Sequence, residues 1–156
     1  MNRRMIFNAV GMMLRVEAAL LLLPAITSAI YRESEAFAFL SAAILGYAIG
    51  ILPKLLYKPK THVIYAKEGF IIVAFSWIML SLIGSLPFII SGEIPRLADA
   101  FFETVSGLTT TGASILTDVE AHSHGVLFWR SFTHWIGGMG VLVFVLAVLP
   151  DSNPTA

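Results

Sequence analysis

Residues 6–30, 36–52, 70–90 and 126–149 form four apolar runs, and about 20 mostly apolar residues is the length at which a helix crosses a bilayer. Hydrocarbon holds no water to satisfy backbone N–H and C=O groups, so a run that enters it must close its own hydrogen bonds as a helix. An all-α membrane protein with four transmembrane helices is therefore expected. Composition agrees: the 156 residues are 57% hydrophobic and 13% charged, where soluble domains hold about 45–50% and about 25%. A net charge of zero provides no electrostatic footprint for nucleic acid. The absence of cysteine excludes disulfides, thiol catalysis and cysteine metal sites.

A secretory signal competes for the first run, because Arg3 and Arg4 precede it and Thr27, Ser28 and Ala29 are small. The run is long for a signal core, and it holds Arg15 and Glu17. Two residues apart, these point to different helix faces, so each needs a partner of its own. Gly46 and Gly50 place a G-x-x-x-G in the second run, a pattern that suits close helix packing. Pro87 stands near the end of the third run, where a membrane helix tolerates it, and Pro150 closes the fourth.

Lysine and arginine are retained on the cytoplasmic side of a membrane. Arg3 and Arg4 place the N-terminus inside, and Lys54, Lys58, Lys60 and Lys67 place the link after the second run there too. Residues 31–35, with one arginine and two glutamates, and residues 91–125 fall outside. In the latter Glu93, Asp99, Glu103, Asp118 and Glu120 face a single base, Arg96. Within it residues 97–106 have helical periodicity, with Phe101, Val105 and Leu108 on one face and Pro95 just before the start. This piece is too short to span, so it is a surface helix or a re-entrant one.

Thr109, Thr110, Thr111 and Gly112 follow it. Taken alone this tetrapeptide is compatible with an ordinary polar turn. After a short helix, in an outer loop between two spans, it can instead present consecutive carbonyl oxygens, which replace the water shell of a dehydrated cation in a pore. The C-terminal end of the preceding helix adds partial negative charge there.

Residues 99–113, DAFFETVSGLTTTGA, with Phe128-Trp129-Arg130-Ser131 and Trp135-Ile136-Gly137-Gly138-Met139-Gly140, resemble the Trk-type potassium uptake proteins of bacteria, of the superfamily that includes Ktr and plant HKT proteins. The resemblance covers essentially the whole chain. It implies four helix–pore-loop–helix units around one pore, preceded by two extra helices, in the bacterial inner membrane. It further implies K+ as the transported ion with no cofactor, a cytoplasmic nucleotide-binding regulatory subunit, and a homodimer. Carried onto this chain, it makes Thr110 and Thr111 the principal K+ ligands, with Thr109, Gly112 and Ala113 completing the filter strand. The domains expected are residues 1–60, a leading two-helix segment; 61–150, the first unit with its re-entrant pore helix and filter loop; and 151–156, a truncated tail. Only one such loop is present, so the chain is expected to be the start of a longer transporter. A homotetrameric channel and a non-conducting assembly partner are the alternatives.

Arg130, near the outer end of the fourth run, either anchors at the membrane surface or pairs with Glu103 or Asp118 to brace the loop. Glu103 itself is expected to be solvated or to act at the pore mouth by concentrating cations. Gly137, Gly138 and Gly140 suggest close helix packing, with a bend as the alternative. His122 and His124 lack a third ligand nearby and read as solvated, and His134 as packed with a hydrogen bond. No phosphate-binding loop and no nucleophile–base pair appears, so an enzyme is not expected.

Overall fold

The computed structural model describes residues 3–56 and 66–148. Lys58, Lys60 and the 151–156 tail lie outside the described residues, as does the Lys67 side chain. Six helical segments follow one another: α1 (Arg3–Leu20), α2 (Leu22–Ile30), α3 (Ala36–Leu56), α4 (Ala66–Ile90), α5 (Leu97–Leu108) and α6 (His124–Val148).

The first apolar run is one rod with a flaw. Pro24 has no N–H for the Leu20 carbonyl and its ring crowds that carbonyl, so regular helix lapses at Leu21. The flanking bonds survive, Leu21 N–H to Glu17 O at 2.9 Å and Ala25 N–H to Leu21 O at 3.3 Å, and Arg3–Ile30 continues as a single span. Among the described residues three helices are long and apolar enough to cross a membrane: Arg3–Ile30, Ala36–Leu56 and Glu68–Ile90. α5, of 12 residues, is roughly 18 Å long at about 1.5 Å per residue, well short of a hydrocarbon core of about 30 Å.

α1 packs on α3 and α4, α5 on α4 and α6, and the end of α2 meets the start of α6. Small residues set the closest approaches. A Cβ on Gly11 would lie 2.6 Å from Gly50 O and one on Gly50 would lie 2.7 Å from Gly11 O, so α1 and α3 touch backbone to backbone. A Cβ on Gly46 would lie 2.9 Å from the Ile83 Cγ2 methyl of α4, so here a side chain fills the space over the glycine. Both glycines of the G-x-x-x-G thus lie at helix crossings.

The core holds Leu14, Leu21, Phe39, Ile83, Phe88, Val126 and Trp129. Trp129 is fully buried, and its indole N–H donates to Gly84 O at 2.8 Å, which gives the polar end of a buried aromatic its partner. Three connections gather at one end of the bundle. Glu33 of the α2–α3 link reaches His124, and Glu93 of the α4–α5 link reaches His122.

Candidate functional site

α5 starts after Arg96, which has extended backbone (ψ 124°) and no side-chain cap, with Asp99 in its first turn favouring the positive end of the helix dipole. It ends at Thr109, whose N–H still bonds Val105 O at 2.8 Å. The chain then leaves the helix without losing contact with it. Thr110 N–H donates to Gly107 O at 2.9 Å, Thr111 N–H to Ser106 O at 2.9 Å, and Gly112 N–H to Ser106 O at 3.4 Å. Every N–H from 109 to 112 is therefore turned back onto the last turn of α5. Among the described residues no donor reaches the carbonyls of the same four residues.

Backbone handedness alternates along the segment. Thr109 has φ −83°, Thr110 +57° and Gly112 +76°, and Thr111 is not among the positive-φ residues. Left-handed backbone suits Gly112; at Thr110, which carries a Cβ, it costs about 1–2 kcal/mol. Ala113 stands apart, because its carbonyl accepts the buried Ser106 hydroxyl at 2.5 Å. Its oxygen is held by α5, unlike those of residues 109–112.

Behind the loop lies Glu103. Sequence reasoning offered solvent, the pore mouth or a brace with Arg130 for it; it is 2% exposed. Its carboxylate accepts from Ser114 Oγ at 2.9 and 3.1 Å, from Ile115 N–H at 3.0 Å and from Arg130 Nε at 2.5 Å. A buried carboxylate persists only with a counter-charge and saturated lone pairs, and this arrangement supplies both. Of the two partners weighed for Arg130, the structure selects Glu103 over Asp118.

The three candidate glycines of α6 differ. A Cβ on Gly137 would lie 1.9 Å from Leu108 O, whereas one on Gly138 would be 3.8 Å from Thr110 Cγ2 and one on Gly140 3.7 Å from Trp77. Close packing thus falls on Gly137 alone, and the other two make ordinary contacts.

His122 and His124 are corrected from solvated to paired. His122 Nδ1 meets Glu93, and His124 Nδ1 lies 2.7 Å from Glu33 Oε1 with its ring stacked on Tyr31 at 3.9 Å. Glu33 also takes the backbone N–H of His124 at 2.8 Å and of Gly125 at 3.2 Å. It caps the N-terminus of α6 from across the fold. Desolvation pushes the Glu33 carboxyl up, but the bonds from His124 and Gly125 outweigh it and hold the carboxyl below its ordinary range. His134 Nδ1 sits 2.9 Å from Arg130 O, a packed histidine with one hydrogen bond.

Reading the sequence did not single out Ser106, Ser114 or these glutamate partners. Ser106 and Ser114 had a usable signal, since hydroxyls flanking a tight loop commonly bond backbone nearby. The partners of His122 and His124 had none, being 29 and 91 residues away.

Comparison with known proteins gives the family of the chain. The "Trk system potassium uptake protein TrkH" of Salmonella typhimurium and that of Escherichia coli are each 38% identical over 152 residues, 96% of this chain and 31% of theirs. The crystal structure of the potassium transporter TrkH from Vibrio parahaemolyticus superposes with a TM-score of 0.90 at 34% identity, covering 96% of this chain and 32% of that one. The chain thus spans about a third of the length of the relatives it matches. The family model "TrkH: Cation transport protein" matches residues 35–153. This all-α membrane chain belongs to the TrkH family of cation transport proteins.

Proposed function

We infer that the chain supplies one pore loop of a K+ uptake system, with residues 109–112 as its share of the selectivity filter. One observation carries the reading: four consecutive N–H groups are bonded back to α5 while their four carbonyls accept nothing among the described residues. Unpaired carbonyls in a membrane protein need a partner, and a dehydrated cation is the partner that a row of carbonyl oxygens suits. Backbone of alternating hand turns successive peptide planes toward one side, which is what such a row requires. Thr110 and Thr111 remain the principal ligands, with Thr109 and Gly112 beside them. Ala113 ends the strand, its oxygen held by Ser106. The Glu103–Arg130 pair braces the loop from behind.

In this reading α5 is a re-entrant pore helix and α6 the fourth span. Residues 1–60 form the leading pair and 61–150 the unit itself, with the N-terminus cytoplasmic in a bacterial inner membrane. The positive-inside pattern supports that orientation. The relatives' printed role in potassium uptake supports K+ as the ion. One loop cannot surround an ion, so further pore units complete the ring. A homodimer and a cytoplasmic nucleotide-binding regulatory subunit follow from the family resemblance.

The test is K+ uptake in a bacterium lacking its own uptake systems and expressing the native locus. Gly112→Val forces a β-branched residue to φ +76° in otherwise open space, so uptake falls sharply. Gly92→Val meets the same strain at φ +81°, also in open space but away from the loop, and leaves uptake intact. Equal uptake in both variants at equal membrane abundance overturns the filter assignment.

A further inference from the structure

The three threonines of the loop are not equivalent. Thr109 Oγ1 donates to Val105 O at 2.7 Å, the back-bond a threonine makes at a helix end. A hydroxyl has one proton, so the 2.8 Å contact between Thr109 Oγ1 and Thr111 Oγ1 must be donated by Thr111. The result is a directed chain from the Thr111 hydroxyl through the Thr109 hydroxyl to the Val105 carbonyl. Thr111 is also held at its backbone, by Ser106 O at 2.9 Å. Between the two stands Thr110, left-handed at φ +57°. Among the described residues its hydroxyl has no hydrogen-bond partner.

We propose that Thr109 is a positioning residue for ion selection: paired with Thr111 through their hydroxyls, it fixes the Thr110 and Thr111 carbonyls in place for a dehydrated cation. The proposal rests on residues 109–112 being a filter. Filters separate ions of equal charge by the number and spacing of their oxygens. A peptide tethered on both sides of a left-handed residue keeps its spacing when a smaller ion enters. Without the hydroxyl pair, Thr111 keeps only its backbone tether, and its carbonyl can follow Na+ inward.

The test uses the native transporter in cells deficient in K+ uptake, reading Rb+ uptake and its suppression by Na+ at matched membrane abundance. Thr109→Val and Thr111→Val each lower discrimination against Na+ about fivefold, the scale of one hydrogen bond. The double variant loses no more than either single one, because both remove the same bond. Thr109→Ser, which keeps the hydroxyl, restores discrimination. Unchanged discrimination in Thr109→Val, or single effects that add in the double variant, overturns the proposal. Gly112→Val, run alongside, separates the two readings. If it blocks uptake while Thr109→Val discriminates normally, the pairing is wrong and the filter stands. If it leaves uptake unchanged, the filter falls and the pairing with it.

Discussion

Gly137 of α6 stands against Leu108, the last residue of α5, so closely that a Cβ at position 137 would lie 1.9 Å from the Leu108 carbonyl oxygen and 2.6 Å from its carbon. The obstacle is backbone, which cannot swing aside as a flexible side chain would. Gly137→Ala must therefore push α6 off the end of the helix that carries the loop. Overpacking of this kind costs about 1–3 kcal/mol. Thermal unfolding in detergent should show the loss for Gly137→Ala and almost none for Gly138→Ala or Gly140→Ala, whose nearest neighbours are 3.8 and 3.7 Å away. Equal effects at all three positions would remove the special role of Gly137.

Arg130→Met leaves the Glu103 carboxylate buried with Ser114 and Ile115 as its remaining donors. Removing one member of a buried ion pair costs about 3–5 kcal/mol. Adding Glu103→Gln should recover part of that loss, since a neutral amide oxygen still accepts from Ser114 and Ile115. Denaturant unfolding of the two single variants and the double variant closes the cycle. Strict additivity would mean that Arg130 and Glu103 act independently, against the 2.5 Å contact.

Acid should loosen the junction of the α2–α3 link with α6. The Glu33 carboxyl is held below its ordinary range in the fold, and an unperturbed glutamate titrates at about 4.3. The folded state thus binds the proton less readily than the unfolded one. The contribution is complete above about pH 4.3 and is lost as pH falls through the lower, folded value. Melting temperature measured down to pH 3 should decline more steeply in the wild type than in Glu33→Gln, which starts lower and has no carboxyl to titrate there. Parallel declines would show that Glu33 does not carry this dependence.

Sequence reasoning succeeded where the physics is one-dimensional. An apolar run of membrane length has no alternative to helix, so the segments 36–52 and 70–90 were found within α3 and α4, and residues 97–106 within α5. The loop was legible because Gly112 and its threonines interrupt that pattern. Glu103 was legible only in part: pairing with Arg130 was one expectation for it, but its burial was not. An acid on a short polar helix looks solvated until its partner, 27 residues on, is brought against it by α6. The same holds for Glu33, since nothing local to residue 33 signals a helix start at His124. The lapse at Leu21 was readable from Pro24, three positions on, but a hydrophobicity window averages over it.

Because residues 109–112 fasten their N–H groups to residues 105–107 of the same chain, the loop carries its own mould. In the proposed pore, neighbouring units have only to bring such loops to the right separation around an axis. A ring assembled this way can tolerate divergence at the seams between units, and its most exacting sequence requirement falls on the short stretch from Glu103 to Ser114.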